Sequence, residues 1–299
     1  MAKYKVVDTE QLDSDLADIA AAIKLKSGVN EGLTFPEGFI KTINAISVGD
    51  EDTQVLIKKA STHDWMQEHF INYKKTAQCN LFANNPNITE IPEFDFSQVT
   101  NFYRMFYYCS GLTSIPSINT SNGENFGEMF RNCTSLLEIP PLDTSKGTNM
   151  FRMFSGCQGA ALSWIINTTN ATNFERMFDQ ASNIEEITLT STYNATNFAY
   201  MFNYCSKLKS ISTLDLSNCT NATNMFYGCS RLENISFVPE TIKISIAITS
   251  SKLTNESVQS IIDGLATVES EQTLTLNVAI ILTDEQKTTI SSKGWTLVQ

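Results

Sequence analysis

Apolar residues recur along the middle of the chain at one fixed interval. The pair Met-Phe occurs six times, each copy 24 residues after the previous one, and Leu81-Phe82 extends the series to seven repeats. Counted from each Phe, the third residue is Cys in five repeats, the sixth is apolar in all seven, and the ninth is Ile in six. A strict period without insertions places equivalent residues in equivalent sites, so the pattern predicts stacked repeats that share one core.

Each repeat is expected to contain a short helical part, a strand and a turn. Apolar residues three and four positions apart around the Met-Phe pair indicate a short helix or a helical turn. The following Leu-x-x-Ile-Pro indicates a short strand, and polar stretches such as Asp143–Asn149 are typical of turns. The fold class predicted is therefore an α/β repeat solenoid of the leucine-rich-repeat type, with seven 24-residue units spanning residues 79–240. Ala160, Ser163 and Trp164 break the pattern and predict a local irregularity.

The N-terminal part is expected to be a small helical module over residues 1–48, with residues 49–78 as a linker or N-terminal cap. Asp8 or Thr9 can cap the first helix, and Pro36 suits the start of the second. Two helices this short cannot bury both apolar stripes alone, so the module is predicted to dock on another protein. The docking residues predicted are Leu12, Leu16, Ile19, Ile23, Phe35, Phe39 and Ile43.

Residues 241–299 are predicted to form an α/β segment that caps the stack, because an open end would expose the core. Thr254 can cap a helix whose apolar side includes Val258, Ile261, Ile262 and Leu265. Thr273–Leu282 predicts a strand, and Thr283 with Gln286 predicts a capping box at the start of a last helix. A final strand is predicted over Trp295–Val298.

Composition narrows the class of partner. The formal charge is −11, which disfavours binding to a phosphate backbone, so no nucleic-acid partner is expected. The start of the chain has no apolar stretch typical of a secretory signal, and no apolar run is long enough to cross a membrane. We therefore expect a protein that is made in the cytoplasm and is not inserted in a membrane.

The sequence offers few residues that could form a catalytic or metal-binding site. The Cys series contains no Cys-x-x-Cys pair, so five stacked thiols are expected to fill a small buried slot and not to bind a metal. His63 and His69 do not fit a zinc motif, and no nucleophile elbow or phosphate loop is present. We predict no cofactor, no metal and no enzymatic activity.

Tyrosines are concentrated near the Met-Phe pairs. Six of the nine lie there, at positions outside the core series: Tyr103, Tyr107, Tyr108, Tyr200, Tyr204 and Tyr227. Exposed tyrosines give rigid, amphipathic contact area, so these six are the candidate partner-binding residues. The alternative is that they pack on the outside of the repeats and only shield the core. Arg104, Arg152 and Arg176 precede the Met of their repeats and are predicted to be solvated surface charges.

Three stretches resemble known families. The segments Arg104–Ile115 and Asn224–Ile235 resemble BspA-type leucine-rich repeats, over about residues 79–238. The resemblance implies a right-handed solenoid used for adhesion or recognition, without catalytic residues. Leu33–Phe39, after Asp15–Ile23, is similar to the N-terminal module of bacteriophage tail and baseplate proteins. The segment from Thr283 to Leu297 is similar to the terminal part of phage and prophage repeat proteins.

Together these resemblances predict a phage virion protein of the tail or baseplate. Its N-terminal module would bind other virion proteins, and its solenoid would bind a host surface protein or glycan. A homo-oligomer of the chain is compatible with this role. A bacterial surface adhesin of the same repeat family and a capsid decoration or architectural protein are the alternatives. A glycan-degrading tail enzyme would need two facing carboxylates, and the sequence nominates no such pair.

Overall fold

The computed structural model describes residues 82–89, 91, 96–97, 99–160, 162, 164–250 and 252–299. They belong to one compact unit, which consists of Gln78–Ile91 and Phe96–Gln299. The predicted module of residues 1–48 and the predicted linker of residues 49–78 lie outside the described residues. So do the seven proposed docking residues Leu12, Leu16, Ile19, Ile23, Phe35, Phe39 and Ile43.

Successive repeats lie parallel to one another and are joined by backbone hydrogen bonds. From Phe82 to Phe202, the N–H of the repeated Phe donates to the carbonyl of the Met one repeat further on, as from Phe106 to Met129 (2.9 Å) and from Phe154 to Met177 (2.8 Å). The Asn five residues before each Phe forms a parallel bridge with its equivalent in the next repeat. The residues in this series are Asn101, Asn125, Asn149, Asn173, Asn197 and Asn221.

The segment around each Met-Phe pair consists of consecutive turns. The N–H groups of Tyr107 and Cys109 donate to carbonyls three residues back, on Arg104 and Phe106, each at 3.1 Å. An α-helix needs bonds four residues back, and here every second N–H is used by the next repeat instead. Arg104 and Tyr108 have left-handed φ values of 57° and 56°, which interrupt any helical path. The sequence predicted either a short helix or a helical turn around each Met-Phe pair, and the described repeats contain turns.

The core of the stack is a set of parallel rows, one residue per repeat. The repeated Phe rings stack face to face, with centroids 5.3–5.9 Å apart and planes within 4–13° of parallel. Burial of the seven rings contributes roughly 2–3 kcal/mol each before entropy is counted. Rows of Met, Cys and Leu flank the rings and are also buried. The ring row consists of Phe82, Phe106, Phe130, Phe154, Phe178, Phe202 and Phe226.

Short parallel pairings follow the Met-Phe turns. Strand β1 (Glu186–Ile187) pairs with β2 (Ser210–Ile211), and other repeats contribute isolated bridges. In the irregular repeat, Ala160 keeps its place in the buried row, and the indole N–H of Trp164 donates to the carbonyl of Ile139 at 2.9 Å. The Trp164 side chain therefore bonds this repeat to the preceding one, and Ser163 lies outside the described residues.

Polar side chains satisfy the backbone at the turns between repeats. A buried Thr fourteen residues after the Phe donates its hydroxyl to a carbonyl of the next repeat, as from Thr120 to Asp143 (2.9 Å) and from Thr144 to Asn167 (2.8 Å). Each bridging Asn accepts the N–H two residues later, as Asn149 does from Phe151 at 3.0 Å. Such Asx turns explain why Asn and Thr recur at fixed places.

The C-terminal segment is a three-stranded parallel sheet with two helices. Strand β3 (Ile246–Ile248) pairs with β4 (Gln272–Leu276), which pairs with β5 (Trp295–Val298). Helix α1 (Asn255–Gly264) connects β3 to β4, and α2 (Asp284–Ser292) connects β4 to β5. Apolar residues of α1 are buried, so this segment continues the core beyond the last repeat.

The capping residues predicted for these helices are confirmed. The Thr254 hydroxyl accepts the N–H of Ser257 at the start of α1, and Thr283 with Gln286 forms a capping box at the start of α2. The predicted strand Thr273–Leu282 is too long. It ends at Leu276 because the carbonyl of Asn277 accepts the N–H of Ile280, which closes a turn.

Candidate recognition surface

The six candidate tyrosines form two groups on the stack. Tyr103, Tyr107 and Tyr108 belong to the Phe106 repeat, and Tyr200 and Tyr204 belong to the Phe202 repeat, four repeats further on; Tyr227 follows in the next repeat. Tyr108, Tyr204 and Tyr227 expose 42%, 51% and 53% of their surface, and the other three are half-buried. The structure therefore does not bring all six together. It exposes Tyr108 in the first group, and Tyr204 and Tyr227 in the second.

The first group is built around Arg104. Its guanidinium lies 4.9 Å from the ring centres of both Tyr103 and Tyr107, within the range of cation–π attraction. Arg131 approaches the Tyr107 ring at 5.5 Å, and Tyr108 meets that ring edge-on at 4.5 Å. These contacts hold the aromatic side chains in place before any partner arrives, which lowers the entropy that binding has to overcome.

Glu128 is the charged centre beneath this group. Its side chain is only 2% exposed and forms ion pairs with Arg104 (2.6 Å), Arg131 (3.1 Å) and Arg152 (3.7 Å). The three arginines come from three successive repeats, so the cluster exists only because the repeats are stacked. Sequence reasoning missed Glu128. The signal was available, since Arg104, Glu128 and Arg152 occupy the same position of consecutive repeats.

The second group is built around Arg176. Its guanidinium lies 4.2 Å from the ring centre of Tyr200 and 3.2 Å from the buried carboxylate of Asp179. The amide of Asn203 donates to the other oxygen of Asp179 at 2.7 Å. Arg176 also lies 3.7 Å from Glu175, so two carboxylates neutralise it.

Tyr204 and Tyr227 form an exposed pair beside that cluster. Their rings meet edge to face at 5.3 Å. A hydrogen bond with Tyr227 raises the pKa of the Tyr204 hydroxyl, because it favours the neutral phenol. The pair offers two rigid apolar ring surfaces and polar hydroxyl groups to solvent.

The arginines are not the solvated charges predicted from the sequence. The side chains of Arg104, Arg152 and Arg176 are 37%, 25% and 29% exposed, and each lies against an aromatic ring and a carboxylate. All three also have left-handed φ values, between 52° and 57°. Their position in the Met-Phe turns places them in one row across the repeats.

The stacked cysteines donate hydrogen bonds to the main chain. Each thiol lies 2.9–3.0 Å from the carbonyl of the Phe one repeat earlier, as Cys157 does from Phe130. Burial raises the pKa of the Cys109, Cys157 and Cys229 thiols to about 12, so they stay neutral at physiological pH. This agrees with the expectation of a buried slot. The carbonyl bond was not foreseen, and it gives Cys a contact that alanine, present at this position as Ala181, cannot make.

The described residues contain neither a cluster of metal-ligating side chains nor a membrane-spanning helix. None of them form a group of three or more His, Cys, Asp or Glu that could hold a metal ion. Within the same part of the chain, no helix combines the length and apolar character needed to cross a bilayer. His63 and His69, the two histidines of the chain, lie outside the described residues.

Comparison with known proteins gives a family and no function. Curated proteins and solved structures yielded no match. A family model described as "Mycoplasma protein of unknown function, DUF285" matches residues 66–185 and 143–237. These two matches together cover more than half of the chain and the whole series of Met-Phe pairs. The chain therefore belongs to the DUF285 family.

Proposed function

We propose that the chain is a non-enzymatic recognition protein whose repeats form a leucine-rich-repeat-like solenoid that binds a surface protein or glycan. The observation that carries the proposal is the row of tyrosines and arginines along the Met-Phe turns. Exposed rings such as Tyr204 and Tyr227 are held by neighbouring side chains, and the turns beneath them are bonded to the next repeat. A rigid surface of this kind binds a partner at low entropic cost.

We place this recognition protein on the tail or baseplate of a bacteriophage. The support is the similarity of Leu33–Phe39 and Thr283–Leu297 to segments of phage proteins. In this role, residues 1–48 bind other virion proteins and the repeats bind the host. Several copies on one particle would multiply weak contacts, because a second binding event becomes intramolecular.

A bacterial surface adhesin is the second candidate. It is favoured by the family match, because that family is described from Mycoplasma, a cellular source. A capsid decoration protein is a further alternative within the virion. Immunogold labelling with an antibody to residues 79–238 separates the three by position. Gold on the tail supports the proposal, gold on the head favours decoration, and gold on cell surfaces alone favours the adhesin.

The absence of enzymatic activity is part of the proposal. Hydrolysis of a glycan needs one carboxylic acid that can give up a proton and a second carboxylate facing it. The two buried acids of this surface, Glu128 and Asp179, each form an ion pair with arginine and do not face each other across a cleft as such a pair must. Release of reducing sugar from host wall polysaccharide by the purified chain would overturn this part.

Recognition itself is tested with a matched pair of tyrosine variants. The double variant Tyr204→Ala/Tyr227→Ala removes the exposed pair, and Tyr193→Ala removes an equally exposed ring, 53%, outside the Met-Phe turns. Binding of the full chain to host cells is measured by flow cytometry. We expect the double variant to lose at least about tenfold in affinity and Tyr193→Ala to bind as the parent does. Equal binding by all three chains would refute the assignment of this surface.

A further inference from the structure

The cluster around Glu128 has more positive than negative charge. Three arginines surround one carboxylate, which leaves an excess of two positive charges. This excess is local, because the whole chain has a formal charge of −11. By contrast, Arg176 has two carboxylates within 4 Å, so the second group, built around Arg176, has no positive excess.

Arg152 is the arginine of this cluster that Glu128 neutralises least. Its Nη1 lies 3.7 Å from Glu128, beyond hydrogen-bond distance, whereas Arg104 and Arg131 are bonded to the same carboxylate at 2.6 and 3.1 Å. The buried Nε of Arg152 has no hydrogen-bond partner. The guanidinium rests 4.9 Å from the Phe151 ring centre, and a quarter of the side chain is exposed. Because the Nε is buried, a second anion would contact the exposed part of the side chain and supply there the hydrogen bonds that Glu128 does not.

The surroundings favour a sugar chain over a peptide as the source of that anion. Tyr103 and Tyr107 flank the cluster and Tyr108 is exposed beside it, so flat rings lie next to the positive charge. Such rings offer an apolar face and a polar hydroxyl, which suits the mixed surface of a sugar. An extended peptide would add as a strand to free backbone groups. Here the N–H groups of Arg104 and Glu128 already donate to the next repeat.

We infer that Arg104, Arg131 and Arg152 bind an anionic glycan through a carboxylate or phosphate group, with Arg152 in direct contact with the anion. The inference names the partner of the surface assigned under the proposed function and rests on that assignment. Paired donors of a guanidinium match the geometry of both kinds of anion.

The test compares polymers that share one backbone. Biolayer interferometry measures binding of the full chain to carboxymethyl-dextran, dextran phosphate and unmodified dextran, with polyglutamate as the acidic peptide. We expect binding to one or both anionic dextrans and none to dextran. The two anionic dextrans show whether carboxylate or phosphate is preferred. Equal binding to unmodified dextran would overturn the role of charge, and preferential binding to polyglutamate would overturn the choice of a glycan.

Matched charge variants locate the contact. Arg152→Gln leaves Glu128 bonded to its two closer arginines, so the fold is expected to persist, which circular dichroism checks. We expect it to lose about tenfold or more in affinity for the anionic dextran, the loss typical of one charge-assisted hydrogen bond. Arg152→Lys should restore part of the binding. Arg231→Gln removes the same charge from an exposed site outside the cluster and should bind as the parent does.

The outcomes separate this inference from the proposed function. If the chain binds host cells but Arg152→Gln binds anionic dextran as tightly as the parent, the inference is wrong and the recognition role stands. If the chain binds no cells but shows Arg152-dependent binding to anionic dextran, the recognition role is wrong and the anion site stands.

Discussion

Replacing Cys157 by alanine should make the chain less stable at neutral pH and more stable than the parent at high pH. The thiol of Cys157 is fully buried and donates to the carbonyl of Phe130 at 2.9 Å. Alanine already occupies the equivalent position of the next repeat, as Ala181, so the substitution is compatible with the stack. It removes one hydrogen bond and one titratable group and changes no other charge.

At pH 8 we expect a loss of about 1–2 kcal/mol in the free energy of unfolding. The lost hydrogen bond contributes about 0.5–1.5 kcal/mol, and the space left by one sulfur atom adds a smaller cavity cost. Phe130 also accepts the N–H of Cys133, so its carbonyl is not left without a partner.

The sign of the effect reverses at high pH. Burial raises the pKa of the Cys157 thiol from 9.0 to about 12. Between these values the unfolded parent loses the thiol proton while the folded parent keeps it, so the parent loses stability as the pH rises. The slope is about 1.4 kcal/mol per pH unit for one thiol. The variant lacks this proton, and for a deficit of about 1–2 kcal/mol the two curves should cross at roughly pH 9.6–10.5.

Urea denaturation of both chains at pH 8, 9, 10 and 11, in the presence of a reductant, measures the difference. Tyrosine and lysine also titrate over this range, but they are common to both chains and cancel in the comparison. If the variant's deficit stayed constant from pH 8 to pH 11, the thiol would not be a buried neutral donor, and the account of the Cys row would be refuted.

Three further changes probe the core, the turns and the charged cluster. Phe154→Ala removes a fully buried ring from the Phe row and should cost about 3–5 kcal/mol in a urea melt, whereas Leu137→Ala, at a site 66% exposed, should change stability by less than about 0.5 kcal/mol. Gly228 has a φ of 77°, and an added Cβ would lie 2.9 Å from a ring carbon of Tyr204, so Gly228→Ala should lower the melting temperature. Gln180→Gly, at the same turn position with a φ of 61°, should not lower it, because glycine adopts this φ without strain. Glu128→Gln leaves three arginines without their shared carboxylate and should cost about 1–3 kcal/mol, so an unchanged unfolding midpoint would contradict the central role of that side chain.

Sequence reasoning located the repeats because identical intervals report identical environments. In the described repeats the Met-Phe pairs, the Cys series and most of the apolar residues that follow are buried in rows, as their spacing implied; Ile88 is half-buried. The caps of α1 and α2 were also predictable, because the bonds of Thr254 and Thr283 are made within four residues of sequence. The end of β4 was less predictable, because Val278 and Ile281 look like core residues but are 80% and 93% exposed.

The chemistry of the recognition surface depended on contacts between repeats. The sequence shows tyrosines and arginines near the Met-Phe pairs, and the residue types alone indicate exposed rings and solvated charges. Only stacking brings Arg104 and Arg152 to the carboxylate of Glu128, since each lies 24 positions from it along the chain. The period and the buried rows are thus determined by the sequence, because each repeat carries its own apolar pattern. The charged clusters are decided by the tertiary structure, because each is assembled from side chains of several repeats.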